Sequence, residues 1–157
     1  MMQMLSPEEV LVSLGFARLR LPAPGGNYVS SKRTGAIMHL SGVISTDRDE
    51  VITGTAGAGC KAEEEYGAAQ VRGLMQRAVL RRKLGSLERI AEVLTVNGYV
   101  NPALGFDDSS AVINGASDLL LKAFGEAGQQ VRVARGVSTR PRNALAELEV
   151  TVRVKEP

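Results

Sequence analysis

Hydrophobic and polar residues repeat along this chain with two different periods, and each period predicts a type of secondary structure. Apolar residues spaced three and four apart recur over 62–85 and 109–128, as in amphipathic helices. The first of these segments begins with three glutamates and ends with three basic residues and a glycine, which suits the helix dipole. A shorter helix is predicted over 6–15, where Ser6 and Glu9 match a capping box.

Other segments have the short apolar runs or the strict alternation of β-strands. They are 16–22, 36–44, 90–100 and a closing pair within 129–154. The segment 90–100 is apolar on both faces apart from Glu92, as expected of a central strand that helices cover on one side. Because no low-complexity linker divides these elements, the pattern predicts a single α+β domain over 1–157.

The closing strands carry charged residues at regular positions. Four apolar residues share one face of the last strand: Leu148, Val150, Val152 and Val154. The opposite face holds Glu147, Glu149, Thr151 and Arg153. Upstream, Arg132 lies between two valines, so strand pairing could bring it toward the glutamates. From the residues alone, this polar face is an exposed sheet surface with cross-strand ion pairs, each contributing under ~1 kcal/mol, or a surface that meets a partner.

Composition narrows the classes of function. The chain has 157 residues, 44% hydrophobic residues and a net charge of +2. No apolar run approaches the ~20 residues needed to cross a bilayer, and the first residues lack a signal-peptide pattern, so a cytoplasmic location is predicted. A single cysteine excludes an intrachain disulfide and a zinc site built on several thiolates. With three Tyr, three Phe and no Trp, RNA binding is possible but not favoured.

Three candidate chemistries find little support in the sequence. The segment 54–62, GTAGAGCKA, resembles a phosphate-binding loop, but Cys60 stands where the lysine belongs and glutamates follow at the helix start. His39 is the only histidine and lies inside an apolar run, which favours a structural histidine in a strand over a catalytic base. Cys60 lies in a glycine-rich loop and has no histidine beside it in sequence, which favours an inert thiol.

Several segments resemble, in order and over nearly the whole chain, the Rid/YjgF family of reactive intermediate deaminases. They include LRLPAPGGNYVSS, the strand ending in LSG, LGSLERIAEVLTVNGYVN, and RPRNALAELEV. The most specific is VINGASDLLLKAFGEAG, and the likeness is greatest to the longer branch called "endoribonuclease L-PSP" or "translation initiation inhibitor". The resemblance implies a chorismate-mutase-like fold, in which a mixed sheet is backed by two main helices. It also implies a homotrimer with a central barrel-like core and ligand clefts between subunits.

The resemblance also implies roles for particular residues. The family's cleft arginine, which binds a substrate carboxylate, corresponds to Arg132, and the glutamate that holds the attacking water corresponds to Glu147. The cleft tyrosine corresponds to Tyr28, and Asn114 is a weaker match to a further substrate-binding position. Two positions depart from the family pattern and could alter the specificity of the cleft: Arg135 and Arg140.

The implied function is hydrolysis of a reactive enamine or imine to a 2-keto acid and ammonia, with no metal and no organic cofactor. A planar guanidinium can bind the carboxylate of such a substrate through two hydrogen bonds, and a carboxylate can activate water. The implied ligand is therefore a 2-imino or 2-keto acid. Two alternatives stay open: an endoribonuclease or translation inhibitor that acts on RNA, and a ligand-sensing trimer without turnover.

Overall fold

The computed structural model of the chain describes residues 5–14, 23–44, 46–47, 50–139 and 141–156. The strand predicted over 16–22 and the residue Arg140 lie outside them. Three α-helices are described: α1 (Pro7–Ser13), α2 (Ala62–Leu84) and α3 (Ser109–Phe124). The strands are β1 (Ser31–Thr34), β2 (Ile37–Ile44), β3 (Thr46–Asp47), β4 (Glu50–Val51), β5 (Ile90–Val100), β6 (Val131–Gly136) and β7 (Ala146–Val154).

Five strands form one mixed sheet in the order β1-β2-β7-β5-β6. β5 and β6 run parallel, joined by the crossover through α3, and the other neighbours are antiparallel. β3 and β4 form a separate two-stranded ladder. The predicted α+β class and the mixed sheet backed by two main helices are therefore confirmed. Among the described residues, none of the helices combines the length and the apolar composition that crossing a membrane requires.

The core lies between the sheet and the pair α2 and α3. On β7 the alternation predicted from the sequence is confirmed, because Leu148, Val150, Val152 and Val154 are all buried. Facing them from the helices are Leu74, Leu80, Ile113 and Leu119. Gly115 lets the helices approach closely, because a Cβ there would collide with the backbone carbonyl of Tyr66.

The sheet face opposite α2 and α3, called the open face below, has no helix packed on it in the described part of the chain. Its residues on β5 and β7 are half-buried, with the exception of the exposed Arg153, and alternate with buried ones. At the β6 edge this face carries Val131, which is 75% exposed, and Val133, which is 37% exposed. The open face is thus partly apolar, and it ends at β6, which has no second strand partner among the described residues.

Candidate functional site

A cavity of about 330 Å³ lies where β2 and the start of β7 meet the loop 23–30. Its polar lining includes Glu147 from β7, Tyr28 and Ser30 from the loop, and Ser41 from β2. Two of the residues that the family resemblance singled out, Glu147 and Tyr28, therefore line one cavity, called the Glu147 cavity below.

The loop over this cavity is held to β2 by Ser41. The Ser41 hydroxyl donates to the carbonyl of Val29 (2.6 Å), and its backbone N–H donates to the carbonyl of Ser30 (3.0 Å). Tyr28 is 50% exposed, and its hydroxyl oxygen accepts a hydrogen bond from the backbone N–H of Gly25 (3.1 Å). Local hydrogen bonds thus place the Tyr28 ring beside the cavity and leave the ring accessible to a ligand.

An irregularity in the β2–β7 pairing makes room for the carboxylate of Glu147. The register shifts between Leu40 and Val43, so β2 holds one more residue than β7 over this stretch. Gly42 lies in the bulge, and a Cβ at this position would collide with the Glu147 carboxylate. The absence of a Cβ at Gly42 therefore makes room for the Glu147 side chain, whereas the backbone conformation of Gly42 does not require glycine, because its φ is not positive.

Two buried polar side chains of α2 form hydrogen bonds with the backbone of β2 and β7 next to the bulge. Gln76 donates through Nε2 to the carbonyls of Ser41 on β2 (3.0 Å) and Leu148 on β7 (2.5 Å), so it joins the two strands at the bulge. Arg72, fully buried, donates through Nη2 to the carbonyl of Ala146 (3.1 Å). Burial holds the pKa of the Arg72 guanidinium well below its usual range, and the negative charge of Glu147 partly opposes this.

Arg142 is a lining residue that the sequence interpretation missed. Arg142 lines the same cavity as Glu147, and it is exposed. Arg142 and Asn143 both have left-handed backbone conformations, with φ of 55° and 54°. Asn101 steadies the turn by donating through Nδ2 to Asn143 Oδ1 (3.3 Å). The Pro-Arg-Asn sequence was a signal of this turn, because Asn tolerates positive φ, but it does not reveal where the arginine points.

Arg132 lies in a different place. From β6 its Nη1 donates to Asn114 Oδ1 (2.7 Å) and to the Ser117 hydroxyl (3.1 Å). Its Nη2 donates to the Ser110 hydroxyl (2.7 Å) and, more weakly, to the Ser110 carbonyl (3.4 Å). The three partners form one stripe along α3, and Asn114 and Ser110 are exposed. These four residues are called the Arg132 cluster below.

The strand registers put this cluster and Glu147 on opposite sides of the sheet. Arg132 pairs with Val96 of β5, which is fully buried on the helix side. Glu147 pairs with Tyr99, which lies on the open face. The expectation that strand pairing brings Arg132 toward the glutamates is therefore wrong within one chain, because side chains alternate and the registers place Arg132 beneath α3. On β6, the arginine that shares the open face with Tyr99 is Arg135.

The open face contains polar contacts of its own. Glu149 lies 3.4 Å from the Tyr99 hydroxyl and 3.5 Å from Asn97 Nδ2, and both groups donate to its Oε2. Burial raises the pKa of Tyr99 above its ordinary value, and the charge of Glu149 raises it further, while Arg135 opposes the shift. Arg153 Nε donates to Glu92 Oε1 (2.8 Å), which is the kind of cross-strand ion pair expected of an exposed sheet face.

The candidates that the sequence disfavoured do not line the Glu147 cavity. His39 is exposed, and its Nδ1 lies 3.2 Å from the Thr151 hydroxyl across the β2–β7 ladder. Cys60 is a free thiol packed against the core. In the glycine-rich loop, Glu65 accepts the backbone N–H of Gly57 (2.8 Å) and Glu64 accepts that of Lys61 (3.0 Å). The carboxylates of α2 itself thus occupy N–H groups that a bound phosphate would need.

Comparisons with known proteins agree with this fold and extend over nearly the whole chain. The family model described as "YjgF/chorismate_mutase-like, putative endoribonuclease" matches residues 8–153. Protein TCP17 of Trypanosoma cruzi is 34% identical over 98% of this chain and 99% of its own length.

Two solved structures are similar at comparable identity. The "putative endoribonuclease" of Shewanella oneidensis is 29% identical over 95% of this chain and 99% of that chain, with a TM-score of 0.91. The protein Atu1372 of Agrobacterium tumefaciens, described as having unknown function, is 30% identical over 96% of this chain and 94% of that chain, with a TM-score of 0.87. The sequence resemblance is confirmed, and the chain belongs to the YjgF/chorismate-mutase-like family.

Proposed function

We propose that this protein hydrolyses the reactive imine or enamine of a 2-keto acid. The observation that carries the proposal is the position of Glu147, a half-buried carboxylate that lines a cavity together with the accessible ring of Tyr28. A carboxylate in a partly enclosed site of this kind can hold a water molecule and accept its proton. The volume of about 330 Å³ suits a small metabolite.

The reaction needs a base and an anchor for the substrate carboxylate. Water adds to the imine carbon, and Glu147 takes the proton as the new C–O bond forms. Glu147 then returns this proton to the nitrogen of the tetrahedral intermediate. As the C–N bond breaks, the hydroxyl proton of the intermediate passes to the departing nitrogen, so the keto group forms and ammonia leaves. In this scheme the Tyr28 ring forms one wall of the cavity and limits the orientation of the substrate.

The family resemblance assigns the anchor to Arg132, and this assignment requires a second subunit. Within one chain Arg132 lies beneath α3 and Glu147 on the other side of the sheet. An arginine from a neighbouring copy would bind the carboxylate through a planar pair of N–H groups. Its present acceptors are neutral, so among the described residues no carboxylate competes with a ligand for this cation.

The homotrimer is therefore part of the proposal. Two features of the chain support assembly through the open face: its apolar side chains at the β6 edge, and the polar stripe of β7. Exposed valines on an unpaired edge strand favour association with another copy. In a cyclic trimer the same contact repeats three times, so each of three clefts would receive Glu147 from one subunit and Arg132 from the next.

Keto-acid release is the direct test of the function. An amino-acid oxidase generates imino acids in the assay, and the purified wild-type chain is compared with Arg132→Ala. The proposal expects the wild type to accelerate keto-acid formation well above the rate in water, and the variant to lose most of that acceleration. A wild type that binds 2-keto acids without accelerating hydrolysis would be a ligand sensor. Cleavage of RNA without any deamination would favour the ribonuclease alternative.

A further inference from the structure

A second cavity, of about 440 Å³, adjoins the Glu147 cavity. The two cavities have five lining residues in common: Ala23, Pro24, Tyr28, Ser30 and Val79. Tyr28 is half exposed and stands at the boundary, so it forms a shared wall and does not seal one cavity from the other. A ligand whose reactive end lies near Glu147 can therefore extend past Tyr28 into the second cavity.

Among the described residues, the second cavity is lined by two cations and no carboxylate. Its lining is completed by Val29 and, from the last turn of α2, by Arg82 and Lys83. The C-terminal end of a helix carries roughly half a negative charge, and the two positive charges of these side chains exceed it. The Glu147 cavity differs, because a carboxylate and a guanidinium both line it. The positive potential is therefore concentrated at the end of the groove that is distant from the proposed chemistry.

The last turn of α2 contains a third basic residue, Arg81, which can be compared with Arg82 and Lys83. Arg81 belongs to the same turn and is equally exposed, but it does not line either of the two cavities. Its charge acts on Arg77, whose pKa is lowered first by burial and then by Arg81. Favourable interaction with the helix dipole explains all three basic residues equally. It does not explain why two of them border a cavity that continues the candidate site.

We infer that the second cavity is a subsite for a second anionic group of the substrate, with Arg82 and Lys83 as its ligands. This inference rests on the proposed function and specifies its substrate class: imino acids that carry a carboxylate or a phosphate at the end distant from the imine. Both groups accept hydrogen bonds from guanidinium and ammonium donors. Tyr28 then lies along the middle of the ligand and orients it.

The test compares keto acids that differ in the distal group. Calorimetric titration gives the Kd of 2-oxobutanoate, which has one carboxylate, of 2-oxoadipate, which has two, and of 3-phosphooxypyruvate. The wild type is expected to bind at least one of the last two about fivefold or more tightly than 2-oxobutanoate, and the better of the two identifies the distal group. In the double variant Arg82→Gln/Lys83→Gln the preference should fall to about twofold or less.

Arg81→Gln is the matched control and should keep the full preference. The inference is overturned if the wild type binds all three acids equally, or if Arg81→Gln loses the preference as much as the double variant does. Catalysis separates this failure from failure of the proposed function. A chain that hydrolyses imines but shows no preference lacks only the subsite, whereas a chain that neither hydrolyses imines nor binds these acids contradicts both.

Discussion

The Glu147 cavity and the Arg132 cluster belong to one sheet, but they use different strands of it, and Glu147 and Arg132 lie on opposite sides of the sheet. The first is enclosed by a bulge, a tethered loop and buried polar groups of α2. The second lies at the surface, where α3 offers Arg132 only neutral hydrogen-bond partners. One chain therefore carries a carboxylate in a cavity and, elsewhere, a cation whose described hydrogen-bond partners are neutral. Neither region alone performs the proposed reaction.

Replacing Glu147, the proposed base, should reduce activity more than any other substitution considered below. Glu147→Gln keeps the shape of the side chain but removes the group that accepts the proton from water. We expect kcat to fall about 100-fold or more, while the Kd of a 2-keto acid changes little. Steady-state kinetics and calorimetry measure the two quantities separately.

Glu149→Gln is the matched control for this prediction. Its carboxylate is the next one along β7 but contacts Asn97 and Tyr99 on the open face, away from the cavity. It should keep a much larger share of the activity. If the two variants lose equal activity while both remain folded, the special role of Glu147 is refuted.

Removing the anchor should mainly weaken binding. Arg132→Ala deletes charge-assisted hydrogen bonds, and the net loss of about 1.5–3 kcal/mol expected for one such bond would raise the Kd of a 2-keto acid roughly 10- to 150-fold. Arg132→Lys should fall between this variant and the wild type, because it keeps the charge and loses the planar pair of donors. The control is Arg135→Ala on the same strand but the other face, which should bind keto acid more tightly than Arg132→Ala does.

A smaller effect is expected from crowding the carboxylate. Gly42→Ala places a methyl group against Glu147 and should displace its carboxylate, lowering kcat about 10-fold with the Kd nearly unchanged. Gly67→Ala is the control, because a Cβ in this helical position meets no neighbour within 4 Å. It should raise the free energy of unfolding by roughly 0.5–1 kcal/mol without altering kcat. Normal activity in Gly42→Ala would show that the bulge does not position Glu147.

The smallest effect is expected at the ion pair of Arg153 and Glu92, which lies away from both regions. Their side chains are 47% and 42% exposed, so solvent screens the attraction. A double-mutant cycle with Arg153→Gln and Glu92→Gln, followed by denaturant unfolding, should give a coupling energy below ~1 kcal/mol. A coupling of several kcal/mol would mean that this part of the face is buried in the assembly.

The fold was more predictable from the sequence than the arrangement of the site. Periodicity located α2, α3 and β5 closely, because their apolar stripes are long and their ends carry the expected glycines and charges. β1 was missed, since its sequence Ser-Lys-Arg-Thr is polar and forms an edge. Alternation told which residues of β7 share a face, but it could not relate that face to Arg132 on β6.

That relation depends on registers between distant segments. The pairing of β5 with β7 contains two register shifts, and no local sequence pattern predicts their positions. Arg142 was missed for a similar reason, because two consecutive left-handed residues determine its position. Tyr28 and Glu147 came from the family resemblance, and the structure places both on one cavity. Their catalytic and binding roles stay predictions, as do those of Arg132 and Asn114.

Mixed oligomers of two inactive variants test the central claim most directly. Arg132→Ala subunits retain Glu147, and Glu147→Gln subunits retain Arg132. If each site takes one residue from each of two neighbouring subunits, random assembly of an equal mixture should restore roughly a quarter of the wild-type activity, since half the subunits supply each intact residue. Light scattering should show trimers. No restored activity in verified mixed trimers would contradict the account, because it would mean that both residues act within one chain or that neither takes part.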